Sequence, residues 1–356
     1  MTFNIKDFPA KEDAGLDAVL AALNKAHKNC IRVGTSGPTE LHPAIPTGSL
    51  GLDMALGIGG IPQGRMTEIF GPEGSGKTTL ALHIATSCQQ MGGRVAFLDV
   101  EHALDLGYAQ SIGLDPTRLV ISQPEYGEQA LDIAEGLLRS GTIDLIVIDS
   151  VAALVPKAEL EGGMADSIIG VQARLMSKAG RKFTPIVQTN NVAILWINQL
   201  RYKVGVFFGN PETTPGGAAL KFYTTARLDV RKVDNIKVGD QIIGAETKVK
   251  VAKNKLAPPL RSATFPLIFG KGIDGRRELL ELCITQKILT RRGTWFVHAG
   301  SPIAQGIDRA IEYLIGHPNL EVELRQQVIS PAPQEAAPEA IEKNSPEGNK
   351  EAPSKE

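Results

Sequence analysis

Apolar positions along this chain follow two spacings, and the switch from one to the other marks out the elements. Apolar runs at 66–70, 94–99, 119–122, 145–149 and 192–197 are short and read as strands. The segments 79–88, 103–112, 128–138 and 170–183 read as helices between them. Strand and helix in alternation predict an α/β fold built on a mostly parallel twisted sheet flanked by helices. Later runs at 226–231, 247–252 and 263–269 have β character with no long helix between them, so that edge of the sheet is expected to be antiparallel.

The pattern differs at both ends. Within 13–28, Leu16, Val19, Leu20 and Leu23 recur at i, i+3, i+4 and i+7, one apolar stripe on a helix. A short strand at 30–33 follows. Such an arm either packs on its own domain or docks on a neighbouring copy, its strand extending that copy's sheet. After 270–274 the spacing changes again. Residues 276–328 read as a small α+β unit: a helix near 276–287, a strand pair around 293–298, and helices after Gln305 and Pro318. From Ser330 the chain is Pro-, Ala- and Glu-rich with six Glu against three Lys, a composition expected to stay disordered. The predicted division is a 1–35 arm, a 36–270 core, a 271–329 C-terminal domain and a 330–356 tail. There is no internal repeat.

Composition narrows the function classes. The 356 residues are 42% hydrophobic and 22% charged, ordinary for a globular chain, and the net charge of −1 requires any anion-binding surface to be local. Cys30, Cys88 and Cys283 lie far apart with no CxxC pair, which fits a reducing compartment and argues against a disulfide framework or cysteine zinc site. Asp7, Glu12 and Asp13 occupy an N-terminus without an apolar signal core, and no apolar run approaches the roughly 18–20 residues of a membrane span. A cytoplasmic protein without a membrane partner is expected.

The chemistry is most legible at Gly71-Pro72-Glu73-Gly74-Ser75-Gly76-Lys77-Thr78, followed by Thr79, which fits G-x-x-x-x-G-K-[ST] between a strand and a helix. Glycines let backbone N–H groups close around a polyphosphate. Lys77 is placed to reach the β- and γ-phosphates, and Thr78 to hold Mg²⁺. Residues 145–149 are four apolar residues ending in Asp149, a carboxylate suited to Mg²⁺ opposite Thr78. Glu101 lies just past the neighbouring strand, as either a general base or an exposed loop residue. Gln199, after the 192–197 strand, is placed to contact a γ-phosphate. The loop 200–217 combines Arg201, Lys203, Phe208, Asn210, Gly216 and Gly217 and suits single-stranded nucleic acid. A second loop, with Glu161, Gly162, Gly163 and Met164, precedes a helix carrying Arg174, Lys178 and Arg181. Lys287, Arg291 and Arg292 are either an approach surface for duplex DNA or a solvated face.

These residues closely resemble the RecA family of bacterial ATP-dependent recombinases over about 45–258. The shared spellings include Thr47-Gly48-Ser49-Leu50, the phosphate loop, Glu101-His102-Ala103-Leu104-Asp105, Asp149-Ser150-Val151-Ala152-Ala153, Asn198-Gln199-Leu200-Arg201, Gly209-Asn210-Pro211-Glu212 and Lys253-Asn254-Lys255. The resemblance implies a helical filament of copies on single-stranded DNA, with ATP and Mg²⁺ at each interface, homology search on double-stranded DNA and strand exchange. It makes Glu101 the water-activating carboxylate and Gln199 the nucleotide sensor. It also makes Asp105 and Tyr108 adenine contacts, Lys253 and Lys255 a pair reaching the neighbouring copy's γ-phosphate, and Lys221 and Phe222 an interface patch. Partners implied are a LexA-type repressor whose self-cleavage is stimulated, and single-strand-binding and loader proteins, in a nucleoid-associated cytoplasmic setting. Phe269 stands where tyrosine is common, Tyr202 where an apolar residue is common, and the tail is only mildly acidic. A hexameric helicase on the same core and a DNA-coating scaffold with a vestigial ATP site are the rival readings; intact Lys77, Thr78, Glu101 and Asp149 argue against the scaffold.

Overall fold

The computed structural model describes residues 15–26, 42–163, 170–203, 209 and 211–330, in two units, 1–43 and 44–356. In the first unit α1 (Gly15–Ala26) forms as the apolar stripe predicts, with Leu16 exposed and Val19, Leu20 and Leu23 half-buried. The strand expected at 30–33, the rest of the arm and the tail from 331 lie outside the described residues.

In the second unit β1 (Ala44–Ile45) and β2 (Ile61–Pro62) pair around α2 (Leu50–Leu56). Alternation then runs β3 (Met66–Gly71), α3 (Lys77–Gln90), β4 (Val95–Asp99), α4 (Leu106–Ile112), β5 (Leu119–Ser122), α5 (Gly127–Ser140) and β6 (Leu145–Asp149), followed by α6 (Lys157–Glu161), α7 (Val171–Asn190) and β7 (Ala193–Gln199). After these come β8 (Arg201–Tyr202), β9 (Glu212–Thr213), α8 (Ala219–Tyr223), β10 (Ala226–Val238), β11 (Gln241–Asn254), β12 (Ser262–Ile268) and β13 (Gly272–Ile273). The last described elements are α9 (Gly275–Thr285), β14 (Leu289–Arg292), β15 (Trp295–His298), β16 (Ser301–Gln305), α10 (Ile307–Gly316) and α11 (Pro318–Ile329).

Among the described residues nine strands form one sheet in the order β13-β12-β11-β10-β3-β7-β6-β4-β5. From β10 to β5 every pair is parallel, and from β10 to β13 every pair is antiparallel, as the late β runs predict. Strands β4, β6 and β7 are apolar up to their carboxyl ends because both faces are covered, while β3 buries Thr67 and Glu68 among its apolar residues. Val95, Phe97, Leu145 and Val147 join the core on the α3 side, while Ala96, Leu98, Ile146 and Ile148 join the core under α5 and α7. This period of two fixes register, since a one-residue slip would exchange the two cores.

Three elements differ from their sequence expectation. Helix α4 begins at Leu106 and not at 103, because the preceding N–H groups of Ala103 and Leu104 bond the Asp99 carboxylate and Asp105 caps the helix. Helix α7 runs past 183 to Asn190 and includes Pro185; Phe183 and Val187 on either side are buried and hold it to the sheet. The strand pair near 293–298 is a three-stranded meander, β14-β15-β16, whose third strand contains Pro302 and escapes pattern reading. A separate apolar cluster sits under it, joined by Leu50 and Met54 of α2. There Glu278, buried on α9, accepts from the Ser49 hydroxyl at 2.5 Å and from the N–H groups of Leu50 and Gly51 at 3.1 and 3.0 Å.

Candidate nucleotide site and its neighbouring loops

The parallel strands deliver their last residues to one rim of the sheet. Gly71 of β3 is level with Gln199 of β7, and Asp99 of β4 is level with Asp149 of β6. Sterics dictate the glycines of the loop that leaves β3. A Cβ on Gly71 would stand 2.1 Å from the Val230 carbonyl oxygen, and one on Gly76, where φ is +92°, 2.4 Å from Leu267 Cδ1. Pro72, Glu73 and Gly74 form the outer crest, and Gly76 precedes the first turn of α3, whose positive end faces the loop. Lys77 is buried, with its ammonium donating to the Pro72 carbonyl at 2.7 Å. Burial lowers its pKa, opposed by Asp149, Glu101 and Glu73.

Thr78 and Asp149, 71 residues apart, are brought into contact: the threonine hydroxyl donates to the carboxylate at 2.7 Å. Burial raises Asp149 to about 6, against the bond from Thr78. Glu101 is drawn across the end of β6 because the N–H groups of Val100 and Glu101 both bond the Asp149 carbonyl, at 2.8 and 3.2 Å. Its Oε1 accepts from Gln199 Nε2 at 2.9 Å and from the Ser150 hydroxyl. Ser150 was missed by sequence reading, and so was Asp99, which accepts from Ala103, Leu104 and Gln123 and shapes the turn that carries Glu101. The signal for Asp99 was present: β4 and β6 are both four apolar residues ending in Asp.

Beside the loop lies a cleft of about 290 Å³ lined by Lys77, Thr78, Thr79, Tyr108, Thr247 and Phe269 among others. Tyr108 reaches Thr79, hydroxyl to hydroxyl, at 3.2 Å. Asp105 is committed to capping α4 through the Tyr108 N–H at 3.0 Å. Ser75 Oγ in the loop and Thr247 Oγ1 across from it are buried without a hydrogen-bond partner. A loop with an unsatisfied hydroxyl, a buried ammonium and a helix N-terminus fits a polyphosphate. The Thr78–Asp149 pair fits Mg²⁺, which takes few protein ligands when phosphates supply the rest.

The segment read as a structureless loop over 200–217 has a paired stem. Arg201 lies opposite Thr213 and Tyr202 opposite Glu212. Arg231 holds that stem with two bonds to Glu212, at 2.8 and 2.7 Å. Asn198, fully buried, donates to the Pro215 carbonyl at 3.2 Å and to Glu68 at 2.9 Å, and Arg227 bonds the other Glu68 oxygen at 2.5 Å. Gly216 and Gly217 lie close against the protein: a Cβ on Gly216 would meet Val151 at 3.0 Å, and one on Gly217 would meet Ala173 at 2.9 Å. Arg201, Lys203, Glu161 and Gly163 are exposed, and Arg174, Lys178 and Arg181 form an exposed row on α7. Met164, Phe208 and Asn210 lie outside the described residues.

Lys253 and Lys255 are not brought to the phosphate loop. Lys253 lies opposite Arg227, whose strand neighbour is Glu68 near the start of β3, whereas the loop leaves the other end of that strand. The Lys253 ammonium donates to the carbonyls of Lys221 and Thr224 at 2.6 and 2.7 Å, and Lys255 to that of Phe222 at 3.4 Å. The lysines therefore close the C-terminal end of α8 beside exposed Lys221 and Phe222. Burial, then the charge of Lys255, depresses Lys253 to about 8.

A mostly parallel sheet with a phosphate loop at its centre and acidic strand ends beside it defines an α/β nucleoside-triphosphatase of the P-loop class. The model of the RecA N-terminal domain matches residues 15–274, and that of the RecA C-terminal domain matches 277–332. Protein RecA of Heliobacterium modesticaldum is 51% identical over 324 residues, covering 90% of this chain and 94% of the relative. Protein RecA of Geobacter sulfurreducens is 54% identical over 312 residues, covering 87% and 92%. The chain belongs to the RecA family and is a recombinase of DNA repair with DNA-dependent ATPase activity. ATP with Mg²⁺, DNA binding and self-association are properties of that family. Among the described residues no helix is long and apolar enough to cross a membrane.

Proposed function

We propose that the rim formed by Gly71, Asp99, Asp149 and Gln199 is where ATP is cleaved, and that cleavage governs the protein's grip on single-stranded DNA. The observation that carries this reading is the pair of contacts Thr78–Asp149 and Gln199–Glu101, which gather four separate strand ends at one point. Lys77 and the backbone N–H groups of the loop hold the β- and γ-phosphates. Thr78 and Asp149 hold Mg²⁺, which when bound neutralises phosphate charge. Glu101 accepts the proton of the attacking water, with Ser150 and Gln199 fixing its carboxylate. Tyr108 contacts the adenine beside Phe269, with Asp105 keeping α4 in place.

Gln199 gives one amide hydrogen to Glu101 and has a second for a γ-phosphate, so a bound nucleotide would draw on the end of β7 and, through it, on β8 and the loop beyond it. Arg201, Lys203, Phe208 and Asn210, with Glu161–Met164 and the Arg174, Lys178 and Arg181 row, bind the DNA strand. Lys253 and Lys255, turned away from their own loop, serve the ATP of the next copy, with Lys221 and Phe222 at the same junction. Copies then form a filament on the strand, sample double-stranded DNA and exchange strands by base pairing. The same filament stimulates self-cleavage of a LexA-type repressor and takes its place on DNA with single-strand-binding and loader proteins, in a cytoplasmic, nucleoid-associated setting.

The test is strand exchange on homologous and non-homologous DNA, with ATP turnover and electron microscopy on the same samples. Filaments on single-stranded DNA, DNA-stimulated turnover and exchange confined to homologous pairs are expected. Nucleotide binding without polymerisation on DNA overturns the reading.

A further inference from the structure

The turn that carries Phe269 is fastened from behind by two side chains that are not part of the phosphate loop. Strands β12 and β13 turn through residues 269–271, and Phe269, 61% exposed, lines the nucleotide cleft together with Tyr108. From α3, six residues past Lys77, His83 Nε2 accepts the backbone N–H of Ile273 at 2.7 Å. The imidazole is wedged between two glycines at positive φ. A Cβ on Gly272 would stand 2.2 Å from Nε2, and one on Gly48 3.0 Å from the His83 Cβ. At Gly272 nothing larger than glycine leaves room for the ring, and at Gly48 a side chain would crowd it. Burial holds the imidazole well below its usual range, at about 4, so Nε2 keeps the lone pair that this bond requires. From α4, the Ser111 hydroxyl lies between the carbonyls of Tyr108 at 2.7 Å and Gly270 at 2.8 Å, its one proton shared between them.

We infer that His83 and Ser111 are positioning residues for the nucleobase, holding the Phe269 turn against α3 and α4 at the distance from Tyr108 that a base requires. The inference rests on the cleft being the nucleotide site. It divides that site in two. Phosphates answer to the loop, while the base answers to a turn that His83 and Ser111 keep in place.

The division can be measured by comparing ATP with inorganic tripolyphosphate, which has no base. His83→Leu removes the acceptor and leaves the Ile273 N–H unpaired. Its expected effect is ATP binding weaker by about tenfold and tripolyphosphate binding unchanged within about twofold. In turnover the loss falls on KM and not on kcat. His83→Gln, which restores an acceptor oxygen, recovers most of the affinity. Ser111→Ala, on a side chain at the surface, gives the same split without relying on the buried ring. Phe269→Ala gives it too, and His83→Leu added to Phe269→Ala costs nothing more, because both act through one turn. Equal weakening of the two ligands, an unchanged ATP affinity, or full additivity with Phe269→Ala overturns the inference. A wild-type protein that binds neither ligand overturns the underlying site reading instead, so the two failures are distinguishable.

Discussion

At the scale of single residues, most of the chemistry converges on one carboxylate oxygen. Glu101 Oε1 accepts from both Gln199 and Ser150, an orientation a water-activating base requires. Glu101→Gln is therefore expected to lower ATP turnover by about 10²–10⁴ while nucleotide binding and filaments persist; single-turnover kinetics beside a binding titration check this. Ser150→Ala, which removes one of the two tethers, should give a smaller loss of the same kind. Lys253 allows a prediction in pH. With its folded pKa depressed to about 8 from 10.5, the ammonium is charged at neutral pH and loses its proton as pH rises through about 8. A lysine serving a neighbour's phosphate fails in that range, so DNA-stimulated ATPase should fall on the alkaline side, with a bound phosphate moving the limb upward. Lys253→Arg, charged throughout, should flatten it even if its peak activity is lower.

At the scale of elements, the parallel strands and the phosphate loop were legible because local physics spells them. A doubly covered strand is mostly apolar, and the loop after β3 has no room for a side chain at Gly71, against the Val230 carbonyl, or at Gly76, against Leu267. What stayed hidden depends on register between distant segments. Nothing near Ser150 in the chain announces that Glu101 will cross over it, and nothing near Asn198 announces Glu68, 130 residues earlier. The paired stem of the 200–217 segment was hidden for the same reason, since its pairing is two residues long on each side and is anchored by Arg231 from another strand. That anchoring has a consequence. Asn198→Ala leaves the Pro215 carbonyl and one Glu68 oxygen without their buried donor, a cost of about 1–3 kcal/mol. It should also reduce the factor by which single-stranded DNA stimulates ATP turnover, because the segment after the stem loses its side-chain tie to β7 at Pro215. The ratio of turnover with and without DNA, alongside a denaturation curve, tests both effects.

At the scale of the whole second unit, the C-terminal helices and meander join the sheet through buried acid. Glu278 on α9 caps the start of α2, where Asp53 accepts from Thr47, and burial raises both carboxyls to about 7. Both prefer the protonated form when folded, so their contribution is fullest below about pH 4 and is lost as pH rises through about 7. Thermal stability should decline from pH 5 to pH 8, with Glu278 accounting for up to about 3 kcal/mol. Glu278→Gln should be more costly at pH 5 than at pH 8, a difference that melting curves at the two values would reveal. The separation of Lys253 and Lys255 from the phosphate loop allows another test. Lys77→Ala alone and the Lys253→Ala, Lys255→Ala double variant alone should each be inactive, yet an equal mixture should regain activity at about a quarter of its junctions, where an intact loop meets intact lysines. No recovery on mixing would mean that the two sets do not meet across copies.

If Lys253 and Lys255 serve the ATP of the next copy, as proposed, a row of copies is directional. The copy at one terminus offers a phosphate loop with no lysines opposite it, and the copy at the other offers lysines with nothing to act on. Only the first can bind ATP without being able to spend it, so newcomers should be retained there, while the far terminus, whose junction is oldest and has hydrolysed its ATP, should release copies, giving the assembly a growing tip and an ageing one.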